Sequence, residues 1–82
     1  MTRKEIKRAL ELVKADNLMI EEHTARLEKC DTNNARYERI EKRLTDLYTS
    51  RNAIIDSMRS VCGVFIDCYD LTAKYNGKTY TL

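Results

Sequence analysis

Between Tyr37 and Val61 the apolar positions never lose step. Tyr37, Ile40, Leu44, Leu47, Arg51, Ile54, Met58 and Val61 alternate three- and four-residue spacings, with one charged residue among them. Such a rhythm lines one face of an α-helix and is incompatible with a strand, whose period is two. Tyr48, Ile55 and Cys62 lie beside this seam and widen it, which predicts more than one packing neighbour. No proline occurs anywhere in the chain to interrupt a helix.

An earlier segment carries the same rhythm less strictly. Ile6, Leu10, Val13, Ile20 and Leu27 fit the spacing if Asn17 and Thr24 fill the gaps, and Thr2 followed by Glu5 forms a capping-box start. The stretch "CDTNNA" between the two segments concentrates residues that favour turns and N-caps, so one of Thr32, Asn33 or Asn34 is expected to cap the second helix. The sequence therefore predicts a mainly α single domain over 1–82: a helix over about 2–30, a turn at 31–34, and a helix over about 35–62 or extending to 70. Folding at the turn gives an antiparallel two-helix coiled-coil hairpin with arms roughly 40 Å long at 1.5 Å per residue. Ile20 then lies near Leu44, Val13 near Arg51 and Ile6 near Met58.

The last residues have another character. In "KYNGKTYTL", Asn76-Gly77 is a strong signal for a two-residue β-turn. Centring the turn there sets Tyr75 opposite Lys78, Ala73 opposite Tyr80 and Leu71 opposite Leu82. Apolar residues then share one face, while Thr72, Lys74, Thr79 and Thr81 share the other. A short C-terminal β-hairpin over about 71–82 is expected. Between Val64 and Tyr69 two readings stand: helix 2 breaks near Gly63, or its heptad rhythm continues through Phe65 and Cys68 to about Tyr69. Strand-favouring Val, Phe, Ile and Tyr support the break, as do Asp67 and Asp70, which are unfavourable near a helix C-terminus.

Helix 1 runs out where helix 2 reaches Val61–Gly63, so the helical hairpin offers no cover to residues 64–82. A two-stranded ribbon is barely stable alone. Phe65, Ile66, Tyr69, Leu71, Tyr75, Tyr80 and Leu82, joined by Tyr48 and Ile55 on helix 2, are therefore expected to form an oligomer or partner interface. A two-fold homodimer is the favoured assembly. Loss of the residues after Asp70 is expected to weaken assembly while leaving the helices mostly intact.

Polar residues interrupt the seam. Arg51, near Val13 and Asn17 with Asp16 flanking, either packs its stem while its guanidinium reaches the rim, pairs with Asp16 to fix register, or meets a ligand. Asn17 reads as a register-setting residue.

Net charge is only +2 with 34% charged and 43% hydrophobic residues, a balance that selects no class of partner by itself. The charged positions form pairs four apart, such as Glu22 with Arg26 and Glu38 with Lys42, consistent with a solvated face. Basic residues cluster at two helix starts: Arg3, Lys4, Lys7 and Arg8, then Arg36, Arg39, Lys42 and Arg43. Acidic neighbours interleave both, and no helix-turn-helix pattern is evident. Nucleic-acid association through Arg3, Lys4, Lys7, Arg8, Arg36, Arg39 and Arg43 is the alternative reading.

Chemistry finds little support. His23 is the only histidine, and Cys30, Cys62 and Cys68 lack zinc-site spacing, so no metal and no cofactor is expected. Two glycines cannot build a phosphate loop, and no nucleophile elbow or triad pattern occurs. No apolar run approaches membrane-spanning length. The absence of an N-terminal apolar segment, with three thiols, points to a reducing, cytoplasmic location. In size and style, though in no motif, the chain is similar to short accessory or inhibitor proteins of phages and mobile elements. A non-enzymatic protein–protein interaction module that occludes a partner protein is the expected function.

Overall fold

A computed structural model describes residues Met1–Leu82. Its elements are helix α1 (Arg3–Glu28), helix α2 (Ala35–Cys62), and strands β1 (Phe65–Asp67), β2 (Thr72–Tyr75) and β3 (Lys78–Thr81). The protein is thus mainly helical, with a small three-stranded antiparallel sheet of order β1-β2-β3.

Local chemistry sets the helix ends. Thr2 Oγ1 accepts the Glu5 N–H at 3.2 Å and starts α1. Asp31 Oδ1 accepts the Asn33 N–H across the interhelical turn, and Asn34 Oδ1 accepts from Arg36 N–H to start α2. The stop of α2 decides the fold. Gly63 adopts φ +68°, a left-handed conformation that L side chains rarely take, and its N–H reaches the Arg59 carbonyl at 3.2 Å. The next N–H, of Val64, reaches Met58 O at 2.9 Å. The chain thereby reverses and delivers Val64 inward. A helix continuing to Tyr69 does not form.

Two apolar clusters hold the hairpin together. In its middle, Ile20, Leu44 and Leu47 are buried, flanked by Leu27 and Ile40. At the open end, Ile6 and Leu10 of α1 pack with Val64 and Ala73, and Met58, Cys62, Ile66, Tyr75 and Tyr80 surround them. All four central residues are fully buried. Burying a side chain the size of Ile6, Leu10 or Val64 contributes roughly 1.5–3 kcal/mol.

The hairpin register matches the turn chemistry. Tyr75 pairs with Lys78, Ala73 with Tyr80, and Thr72 with Thr81, around Asn76 (φ 51°) and Gly77 (φ 76°). Two features depart from the sequence-based expectation. Phe65–Asp67 is a third strand, pairing Phe65 with Lys74, Ile66 with Ala73 and Asp67 with Thr72. The tail also finds cover within its own chain, because Gly63 turns the sheet back over the first turns of α1 instead of letting it run on past them.

The shape stays long. Its extents are 49 × 21 × 16 Å and its radius of gyration is 15.1 Å, against roughly 11.7 Å for a compact domain of this length. Because the sheet completes the Ile6–Leu10 core, truncation after Asp70 removes Ala73, Tyr75 and Tyr80 from that core. The expectation that the helices survive such a truncation therefore changes: their unfolding midpoint in urea falls steeply. A milder probe is Gly63→Ala. A Cβ there meets no atom within 4 Å, so its cost is backbone strain alone, about 1 kcal/mol in urea unfolding. An unchanged midpoint contradicts the role given to the left-handed turn.

Candidate partner-binding surface

Asn17 ties three elements at one point. Its Oδ1 accepts from Arg51 Nη1 of α2 at 3.0 Å, and its Nδ2 donates to the Cys68 carbonyl, in the turn after β1, at 2.8 Å. The polar seam position on α1 thus fixes both the neighbouring helix and the loop beyond it. The Arg51–Asp16 pair considered from sequence does not form; the amide of Asn17 is what the guanidinium meets. Arg51 Nε and Asp16 Oδ2 are both shielded from water without a hydrogen-bond partner. The Arg51 guanidinium sits 5.1 Å from the Tyr48 ring centroid, a cation–π distance set by their spacing of three on one helix.

The β1–β2 turn is ordered by its own side chain. Asp67 Oδ1 accepts from Tyr69 N–H at 2.9 Å and from Asp70 N–H at 3.1 Å. Leu71 closes the turn at φ 54°, left-handed for a residue with a Cβ, a conformation that costs roughly 1–2 kcal/mol. This held turn projects Tyr69 at 90% exposure. Asn17, Ile20, Glu21, Tyr48, Arg51, Cys68 and Tyr69 together line an open cleft of about 270 Å³. Two accessible tyrosines flank a positioned arginine there.

The residues predicted as an interface divide into two groups. Ile66, Tyr75 and Tyr80 are half-buried against the Ile6–Leu10 core, and Leu71 and Ile55 are half-buried too. Phe65, Tyr69, Leu82 and Tyr48 remain exposed. Within the strands the division follows alternation: Ile66, Ala73 and Tyr80 face α1, whereas Phe65 lies in the outer row with Lys74 and Thr79. Leu82, beyond the end of β3, is exposed despite its α1-facing parity. Val61, a seam position in the 3-4 pattern, is 78% exposed at the end of α2 and is not covered. The Cys68 carbonyl and the Asp67 turn are absent from the sequence-based expectations. The turn has a signal, an Asp preceding a four-residue reversal in "DCYDL"; the carbonyl is a backbone acceptor and leaves no trace in side-chain identity.

The basic clusters do not merge. Arg3, Lys4, Lys7 and Arg8 lie at the start of α1, beside the sheet, while Arg36, Arg39, Lys42 and Arg43 lie at the start of α2, at the turn end of the hairpin. His23 Nδ1 lies 2.8 Å from the Met19 carbonyl within its own helix. The thiols of Cys30, Cys62 and Cys68 are free and half-buried, and no group of three or more His, Cys, Asp or Glu side chains could hold a metal ion. No helix is long and apolar enough to cross a membrane. Compared with protein-family models, curated proteins and solved structures, the chain has no match.

Asn17→Ala removes both bonds at the junction and leaves the Arg51 guanidinium partly shielded without its acceptor. Loss of stability of about 1–3 kcal/mol is expected by urea unfolding. The Tyr69 and Asp70 amides should also exchange faster with solvent deuterium, because their turn loses its tether to α1. Wild-type exchange at both amides contradicts the tie.

Proposed function

We propose that this protein is a non-enzymatic protein-interaction module, which pairs with a second copy of itself and acts by occluding a partner protein. The carrying observation is Tyr69, held at 90% exposure on a turn fixed by Asp67 and by Asn17 through the Cys68 carbonyl, beside Tyr48 and Arg51. Tyr and Arg are enriched among the residues that dominate the energetics of protein interfaces, Tyr through a large contact area with few rotating bonds and Arg through its planar, multi-donor guanidinium. An exposed tyrosine on a turn that is already ordered loses little entropy when covered.

Surface area argues the same way. The chain exposes 5975 Å², whereas a compact monomer of 9.6 kDa exposes roughly 5,100 Å². The excess is similar in size to the roughly 800 Å² that each partner buries in a standard interface. Only nine residues are buried, and Val61, Phe65, Tyr69 and Tyr48 stand in solvent. A cytoplasmic, phage-like inhibitory or regulatory role is the biological setting this reading would suit, with occlusion by a rigid rod as its mechanism.

Sedimentation velocity over a wide range of protein concentrations tests the pairing. The wild-type chain is expected to move from monomer to dimer in the micromolar range. The Tyr48→Ser, Tyr69→Ser double variant is expected to remain monomeric to at least tenfold higher concentration with an unchanged helical circular dichroism spectrum. A wild-type chain that stays monomeric at millimolar concentration contradicts the pairing.

A further inference from the structure

Strand β3 is an edge strand, and its free side opens into a cleft of about 590 Å³ lined by Arg3, Lys7, Lys78, Thr79, Tyr80, Thr81 and Leu82. We infer that this cleft accepts an extended, acidic segment of another protein, which adds to β3 as a fourth strand. The inference rests on reading the chain as a protein-interaction module, but it uses a surface separate from the Tyr48–Tyr69 cleft.

Ladder geometry supplies the backbone half of the site. Around a two-residue turn the flanking pair, Tyr75 with Lys78, is hydrogen-bonded, and the pairs then alternate. Thr79 and Thr81 therefore turn their N–H and C=O groups away from β2, toward the cleft. Such an unpaired row is a template for strand addition.

Side chains supply the choice of occupant. Lys78 shares the α1-facing side of β3 with Tyr80, and Arg3 and Lys7 stand on the adjacent turns of α1. All three cations thus face the same side of an incoming strand. Its alternate residues would meet them, which matches carboxylates at every second position. The structure's ion pairs, Arg26–Glu22 and Arg59–Asp56, lie elsewhere, so none of the three is held in an ion pair by its own chain. Glu11 lines the adjoining cleft together with Lys7 and Lys14, and forms an ion pair with neither. On the opposite side of β3, Thr79 and Thr81 are uncharged, so the intervening residues of the strand need no charge. A second copy of this chain fits poorly, because joining two β3 edges brings two sets of these cations together. Phosphates of a nucleic acid would satisfy the charges but not the Thr79 and Thr81 backbone groups.

The test uses the full chain and a fluorescein-labelled heptapeptide of alternating valine and glutamate. Three comparison probes are the same peptide with lysine for glutamate, the glutamate peptide with N-methylated backbone amides, and a single-stranded oligothymidine. The glutamate peptide is expected to bind at micromolar to millimolar concentration, to slow deuterium exchange at the Thr79 and Thr81 amides, and to lose affinity about tenfold in Lys78→Glu. Thr79→Pro removes an outward N–H without touching the β2–β3 ladder, and should abolish binding while the thermal melt persists. Tyr69→Ser leaves this edge intact and should bind as the wild type does, so failure here is separable from failure of self-pairing. No binding by the glutamate peptide, equal binding of the lysine or N-methylated peptide, or tighter binding of oligothymidine with Thr79 and Thr81 unprotected would each overturn the inference.

Discussion

Everything at the open end of the hairpin depends on Val64 and Ala73 covering Ile6 and Leu10. Two helices alone leave the first turns of α1 with one neighbour, Met58 and its surroundings on α2. The sheet provides the second neighbour, and it can do so only because the chain reverses at Gly63. In return the helices shelter one face of a ribbon too small to persist in water by itself. Neither part is complete without the other.

The same dependence fixes the surface. With the sheet docked, Cys68 presents its carbonyl to Asn17, and Asn17 holds Arg51 in turn. A polar residue in an otherwise apolar seam would be expected to weaken the packing, yet here it joins three elements through two directed bonds. Directed bonds select one register, where apolar contacts alone tolerate sliding. The position of Tyr69 beside Tyr48 is therefore a consequence of packing some distance away, at Ile6 and Leu10. Its exposure is a property of the whole fold rather than of a loose loop.

Much of this arrangement is legible in the residues themselves. The 3-4 spacing from Tyr37 to Val61 and the Asn76-Gly77 turn each carry a local signal strong enough to define helix and hairpin. Asn17 and Arg51 stand out as polar residues on an apolar face, and the structure bonds them to one another. The features that the chain does not disclose are nonlocal. Phe65–Asp67 is only three residues long, too short for alternation to register, and becomes a strand because β2 is there to pair with it. The direction in which Gly63 sends the chain is likewise set by the left-handed geometry together with the core that awaits Val64. As a linear pattern the tail outruns its shelter; folded, it supplies half of that shelter and leaves its outer row, its turn tip and Leu82 uncovered.

Residue-by-residue deuterium exchange on the native chain tests this interdependence most directly. If sheet and helix end form one unit, the amides of Leu10 and Ala73 open with the same free energy and the same dependence on denaturant, matching global unfolding. Ala73 exchanging through a low-energy opening while Leu10 stays protected to the global limit would contradict the account, since the helices would then stand without the sheet.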